Sequence, residues 1–344
     1  MESLANKYRP NDFESVLGQE AIVKILKRQL ETNSFNNCMI FCGPSGDGKT
    51  TLARIFALKL NEYKDQFGNI CSSEPIEIDG ASNNGVDNIR FIVDSAKERS
   101  LDGKYKVFII DECHQITTAG WNAFLKCIEE PPQYTVFIFC TTEPNKIPQT
   151  IINRCQVHRF SRVQNDLITN RLKYICEQEH YNYDKFALDY ITKLSNGSVR
   201  QAISYLDKCK DFSNFISYSN VNKVLGDYSY DVMFDLTNAI IDCNKNSIID
   251  IVDKLYFNGN DLKLFMDTYV SFALDLTKFC IFKTLEVTSI PEELLEKVKY
   301  TTSIENNSKW FNNFIDKLLD IRFKLTGDSS PKTTLEIMLL SILN

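Results

Sequence analysis

The chain has 344 residues, a length for two or three domains at roughly 100–200 residues each. Hydrophobic residues make up 43% and charged residues 24%, which excludes a disordered or fibrous chain. The formal net charge of −6 argues against a solitary, strongly basic nucleic-acid binder. No apolar run reaches the ~18 residues that span a bilayer, and the opening stretch lacks the apolar core of a signal peptide, so neither a membrane protein nor a secreted one is expected.

The first half alternates short apolar runs with helical patterns. Cys38–Cys42 reads as a strand and Thr50–Leu60 as a helix. Pro75–Asp79 reads as a short strand, and Val86–Arg99 as a helix with Val86, Ile89, Val93 and Ala96 on one face. Lys106–Asp111 is an unbroken apolar strand of the kind buried on both faces. Trp121–Glu130 is a helix stopped by Pro131-Pro132, and Tyr134–Thr141 is another apolar strand. This alternation predicts a parallel α/β sheet with helices on both faces. From residue 163 onward the pattern is helical with no strand evident. Leu167, Leu172 and Ile175 mark one helix; Phe186–Leu194, Val199–Lys210, Asp267–Phe282 and Thr333–Leu343 mark others. Breaks at Asn196-Gly197 and Gly226-Asp227 divide this part. The expected domains are therefore 1–163, 164–226 and 227–344.

The eleven cysteines lie mostly inside apolar runs and read as small buried hydrophobes. Their odd number suits a reducing compartment. There is no Cys-x-x-Cys pair, and His114, His158 and His180 are scattered, so no zinc site is expected.

Gly43-Pro-Ser-Gly46-Asp-Gly48-Lys49-Thr50-Thr51 contains a complete G-x-x-x-x-G-K-[ST] loop, placed between a strand and a helix as phosphate binding requires. The glycines let backbone N–H groups turn toward phosphate oxygens, and the following helix N-terminus favours an anion. Lys49 is positioned for the β- and γ-phosphates, and Thr50 for Mg²⁺. Asp111-Glu112 closes a buried strand, where an open α/β sheet collects its ligand chemistry. Asp111 would orient the Mg²⁺ shell and Glu112 would polarise the attacking water. Together the two motifs predict a Mg²⁺-dependent nucleoside triphosphatase. Cys113-His114 completes a superficial Asp-Glu-x-His box. His114 reads first as a polar residue just past the strand, with nucleotide or DNA sensing as the sharper alternative.

Three further stretches carry a family resemblance. They are Lys7-Tyr8-Arg9-Pro10-x-x-Phe13-x-x-Val16-x-Gly18-Gln19-Glu20, then Thr141-Thr142-Glu-Pro-x-Lys146-Ile-Pro148-x-Thr150-Ile-x-Asn153-Arg154-Cys155, then Gly197-Ser198-Val199-Arg200. The set resembles the AAA+ clamp-loader ATPases, nearest to the bacterial DNA polymerase III gamma/tau type and next to the small subunits of replication factor C. The resemblance is dense over 1–163, continues through Arg200 and is weak beyond. It implies an α/β P-loop AAA+ module, a small helical lid and an all-α collar. It also implies a ring, pentameric in the family, that acts on a sliding clamp and primer–template DNA in a bacterial cytoplasm or a phage-infected cell. At matching positions it implies that Tyr8, Arg9, Pro10, Val16 and Gln19 line the adenine pocket. Thr142 would be the sensor-1 group, with Thr141 the weaker choice, and Arg200 would be sensor 2. Arg154 would act as an arginine finger on the neighbouring subunit's ATP, and Arg90 and Lys126 would be DNA contacts.

The chain departs from that pattern in two places. The four-cysteine zinc module of bacterial relatives is reduced to Cys71 within 61–74. The 80–85 loop is neutral at Asn83 and Gly85, which predicts weaker DNA contact per subunit. Two alternatives stay open at this stage: another AAA+ DNA remodeller, such as a branch-migration motor, and a non-hydrolysing scaffold subunit of a clamp loader. The absence of a β-hairpin pattern in the third domain weighs against the first. Intact Lys49, Thr50, Asp111 and Glu112 weigh against the second.

Overall fold

The computed structural model describes residues 3–64, 70–100, 103–225, 230–304, 307–325, 328 and 330–343. Five strands form the main sheet: β1 (Cys38–Cys42), β2 (Ile76–Asp79), β3 (Lys106–Asp111), β4 (Thr135–Thr141) and β5 (Gln156–Arg159). They lie in the order β2-β3-β4-β1-β5, and every neighbouring pair is parallel. Parallel strands need crossover connections, and helices supply them. The crossovers run through α3 (Lys49–Leu60), α4 (Val86–Ala96), α5 (Thr118–Glu129) and the short α6 (Gln149–Ile152), while α2 (Glu20–Thr32) precedes β1 after an opening turn α1 (Leu4–Lys7).

Successive strand residues point to opposite faces, so the apolar runs serve two cores at once. On one face, Met39, Phe41, Ile109 and Ile138 pack with Leu26 of α2 and Leu52 and Phe56 of α3. On the other, Ile40, Phe108, Phe137 and Phe139 pack with Ile89 of α4 and Trp121 and Phe124 of α5. This is why β1 and β4 are buried at every position.

Element ends differ from the sequence expectation for local reasons. Helix α3 begins at Lys49 because Gly48, in the left-handed region at φ 93°, stands at its N-cap. Helix α5 begins at Thr118, earlier than expected, because the Thr117 side chain accepts a hydrogen bond from Gly120 N at 3.1 Å. Helix α4 ends at Ala96, short of Arg99, as Lys97 N and Glu98 N bond back only three residues to Asp94 and Ser95. Strand β5 and helix α2 were not among the expected elements. β5 reads Gln-Val-His-Arg and pairs on one side only, with β1, so no apolar run announces it.

After β5 the chain is helical: α7 (Asn165–Gln178), α8 (Lys185–Leu194), α9 (Val199–Phe212), α10 (Tyr218–Leu225), α11 (Tyr230–Ile241), α12 (Lys245–Phe257), α13 (Leu262–Phe282), α14 (Leu295–Thr301), α15 (Asn307–Leu325) and α16 (Pro331–Ser341). The expectation of no strand here is corrected by one small parallel pair, Asn182–Tyr183 with Phe215–Ile216. Two residues each are too few to leave a period-2 pattern.

The chain divides into two compact units, Met1–His180 with Leu194–Asp207, and Tyr181–Lys193 with Lys208–Asn344. Helix α7 and the first turns of α9 thus belong to the unit that holds the sheet. The expected boundary at Gly226-Asp227 lies outside the described residues. The second unit has its own core, in which Tyr269 of α13 shares a 2.9 Å hydrogen bond with Thr237 of α11 and meets Phe314 of α15 edge-on. Among the described residues no helix is long and apolar enough to cross a membrane.

Phe137 sits in the core beneath α4 and α5, stacked on Phe108 at 5.3 Å and edge-on to Phe124 at 5.7 Å. Phe137→Ala should cost about 3–5 kcal/mol, measured as a lowered urea midpoint. A loss below about 1 kcal/mol would contradict a close-packed core there.

Candidate nucleotide-binding site

β1 delivers the chain to Gly43 at the carboxyl edge of the sheet, and α3 leaves from Gly48. The loop between them must fold tightly against its neighbours. Gly46 has φ 79°, and a Cβ there would fall on the Ser198 hydroxyl, so glycine satisfies both the backbone and the close approach. Ser198 in turn starts α9: Gln201 N lies 3.4 Å from its Oγ and Ala202 N donates to its carbonyl at 3.0 Å. The first turn of α9, carrying Arg200, therefore sits against the phosphate loop.

A cavity of about 310 Å³ opens over this loop. Tyr8, Arg9, Pro10 and Val16 line it from the N-terminal segment, Gly46, Gly48, Lys49, Thr50 and Thr51 from the loop and α3, Asp111 from the end of β3 with Glu112 just after it, and Arg200 from α9. Most of the residues expected at the site thus converge from four separate segments.

The polar groups inside are already engaged with one another. Lys49, 7% exposed, donates to the carbonyls of Gly43 at 2.9 Å and Pro44 at 2.6 Å. Thr50 Oγ1 donates to Asp111 Oδ2 at 2.7 Å. Glu112 takes φ 46°, an uncommon conformation for a non-glycine residue. Its Oε2 lies 3.4 Å from Thr142 Oγ1 and 3.3 Å from His114 Nδ1. Arg9 Nε donates to Thr51 Oγ1 at 3.1 Å. Burial, and then the nearby Arg54 cation, lower the pKa of Arg9, partly offset by Glu77 and Asp111.

The adjacent hydroxyl of Thr50 and carboxylate of Asp111 are hard oxygen donors, the kind of pair that holds Mg²⁺ together with substrate phosphates. The residues present therefore fit that ion. Among the described residues no cluster of three or more His, Cys, Asp or Glu side chains suits a metal.

Other expected residues stand outside the cavity lining. Gln19, 4% exposed, donates from Nε2 to the Ser161 carbonyl at 2.8 Å and accepts from Ser161 N at 3.3 Å. Its side chain ties the N-terminal segment to the exit of β5. Gly43 N donates to Thr141 O at 3.2 Å, aligning the loop with the end of β4. Arg154 is half-exposed, bonded to Glu129 at 2.7 Å and to the Thr150 carbonyl at 2.7 Å. Arg90 pairs with Asp87 of its own helix at 3.3 Å, and Lys126 is exposed on α5.

Sequence reasoning passed over Arg171, Glu77 and Asp47, all of which line the cavity. Arg171 of α7 donates to the Tyr8 carbonyl at 2.8 Å and lies over the rings of Tyr8 and Tyr174. The Tyr8 hydroxyl bonds Glu179 at the end of the same helix. Glu77 pairs with Arg54 at 2.7 Å. An arginine on a helix face or an acid in an edge strand carries no signal of such a role. Asp47 was visible, but only as a variable position of the loop.

The family model described as DNA polymerase III, delta subunit, matches residues 18–164. The one described as DNA polymerase III clamp loader subunit, ATPase lid domain, matches residues 167–212. The chain is 36% identical over 312 residues to DNA polymerase III subunit tau of Bacillus subtilis, covering 87% of this chain and 54% of that protein. It is 34% identical over 304 residues to the gamma/tau subunit of Mycoplasma genitalium, covering 84% and 51%. With the gamma subunit of Buchnera aphidicola the match is 28% identical and covers 99% and 98%. The chain thus spans about half the length of the first two relatives. Among solved structures, the Thermotoga maritima RuvB Holliday junction branch migration motor aligns with a TM-score of 0.53 at 21% identity, covering 68% of this chain and 79% of that one. At that identity the likeness is one of fold.

Asp47 supplies a test of the site's electrostatics. It is 3% exposed, neither carboxylate oxygen has a hydrogen-bond partner, and the nearest cation is Arg162 at 3.9 Å. Burial pushes its carboxyl up to about 6, partly offset by Arg162 and Lys49. The folded state then binds the proton more tightly than the unfolded one, so stability falls as pH rises from the usual carboxylate range toward 6 and the deficit is complete above it. Asp47→Asn should therefore gain about 1–3 kcal/mol at pH 7.5 and far less at pH 4.5. Urea unfolding at both pH values measures this, and an equal gain at the two would refute it.

Proposed function

The chain belongs to the DNA polymerase III clamp-loader family, and from that premise we propose that it is an ATP-hydrolysing motor subunit. It would couple ATP binding and turnover to opening a sliding clamp and placing it on primed DNA. One observation carries this reading: Lys49 and Thr50 meet Asp111 and Glu112 in one cavity, with Arg200 on its wall. A scaffold subunit would have no use for that full set.

The chemistry follows from the donors present. Lys49 would exchange its two loop carbonyls for phosphate oxygens, a contact between opposite charges stronger than the ammonium–carbonyl contacts it replaces. Thr50 and Asp111 would hold Mg²⁺, which supplies charge neutralisation across the phosphates. Tyr8, Pro10 and Val16 offer apolar surface for a base. Arg9, bonded to Thr51 at the start of α3, would line the pocket beside them. Glu112 would accept a proton from the water whose oxygen bonds to the γ-phosphorus, while the bond to the β,γ-bridging oxygen breaks and ADP departs. Arg200 would neutralise the γ-phosphate. ATP binding then favours the conformation that holds clamp and DNA, and hydrolysis removes that bias.

Arg154 would serve the site of a neighbouring subunit. Its pairing with the exposed Glu129 leaves it at the surface, available for that role. Assembly into a ring, a pentamer in our reading, is also supported by the second unit's exposed apolar side chains. Phe257, Phe282, Phe323 and Ile337 are 76, 60, 81 and 63% exposed, apolar surface that contacts between subunits would bury. Arg90 and Lys126 remain the proposed DNA contacts.

Turnover should rise when a cognate clamp and primed DNA are added together; no response to the pair would refute the motor reading. Arg154→Ala, assembled with its partner subunits, should lower turnover by about 10³-fold or more with ATP affinity nearly unchanged, read by phosphate release and fluorescent-nucleotide titration. A comparable loss of affinity would contradict the finger assignment.

A further inference from the structure

We propose that His114 is a positioning residue for Glu112, orienting its carboxylate for the attacking water; this rests on the motor reading above. A one-turn 3-10 helix, Cys113–Gln115, places the imidazole at the ends of β3 and β4. The side chain is 5% exposed and has a polar neighbour on each ring nitrogen. On one side, Nδ1 lies 3.3 Å from Glu112 Oε2 and 3.2 Å from Thr141 Oγ1. On the other, Nε2 lies 3.3 Å from Glu143 Oε1 and 3.1 Å from Gln115 Nε2.

These neighbours suit a proton on Nδ1. Thr141 Oγ1 already accepts from Glu143 N at 3.0 Å, and Glu112 Oε2 can only accept when ionised. In the neutral ring with its proton on Nδ1, the Gln115 amide N–H donates to Nε2. In the charged ring, Nε2 donates to Glu143 and Nδ1 is protonated as well. Both forms present an N–H to Glu112.

Glu112 needs that second donor. Its carboxylate is half-exposed on a backbone at φ 46°, and the Thr142 hydroxyl at 3.4 Å is a long contact. With Oε2 held by His114 and Thr142, Oε1 is the oxygen left to accept from water. A base aimed by a third group is the general arrangement of activated sites. Glu143 is itself neutralised by Lys146 at 2.9 Å, so the imidazole is not drawn away from Glu112 by an unbalanced charge.

The test uses the chain assembled with its partner subunits, a sliding clamp and primed DNA. His114→Ala should lower kcat about 10–100-fold while the Kd for ATP stays within about twofold. His114→Asn keeps an N–H near the Nδ1 position and should recover most of the loss. In a Glu112→Gln background, His114→Ala should cost nothing further, because the group it orients is gone. Wild-type kcat in His114→Ala, a matching rise in Kd, no recovery in His114→Asn, or full additivity with Glu112→Gln would each overturn the assignment. Absence of turnover by the wild-type assembly would instead overturn the motor reading, and this inference with it.

Discussion

The site depends on one short contact, the 2.7 Å hydrogen bond from Thr50 Oγ1 to Asp111 Oδ2. It joins the first turn of α3 to the last residue of β3, two segments 61 residues apart. A hydrogen bond to an ionised carboxylate contributes about 1.5–3 kcal/mol, yet its larger effect is geometric. It fixes where the helix N-terminus stands relative to the carboxyl edge of the sheet. The phosphate loop, the oxygen pair suited to Mg²⁺ and the approach of Glu112 all follow from that placement. The bond forms only because β3 and β1 run parallel and share β4 between them, so that their carboxyl ends lie at one edge.

Charge around this contact is arranged in opposition. Lys49, Arg9 and Arg200 face Asp111, Glu112 and Glu77 in one cavity. Lys49 donates to the carbonyls of Gly43 and Pro44, and Arg9 to the Thr51 hydroxyl. Entry of a polyanion then exchanges internal bonds for external ones instead of rescuing a bare charge. The overall charge is distributed to match. Residues 1–163 hold 19 basic and 20 acidic side chains, and the remainder holds 20 and 25. The acidic excess lies in the helical part, so it says little against a few cationic contacts from the α/β part.

The inner strands were legible because burial on both faces writes itself as an unbroken apolar run. β1 and β3 carry the bounds that their runs suggested, and β4 differs by one residue at its start. β5 was not legible, since an edge strand with one partner can read Gln-Val-His-Arg and still pair with Met39–Cys42. Helix starts were misjudged where a side chain or glycine caps them, as at Thr117 and Gly48. The site showed the same division. The loop lysine and the strand-end acids are signalled by spacing. Gln19, by contrast, lies in the segment that resembles the family's adenine-binding stretch, yet its amide is committed to the backbone of Ser161.

By itself the sequence determined the sheet class, the phosphate loop, the acidic pair and the family, because each depends on residue type within a short window. Only the tertiary structure decided which residues face the cavity together. Arg171 and Glu77 enter it, Gln19 leaves it, and Asp47 is buried without a hydrogen bond although it sits inside the motif. His114 likewise gains its place between Glu112 and Glu143 from the alignment of β3 and β4. These outcomes depend on distances between segments far apart in the chain, which local periodicity and spacing do not encode.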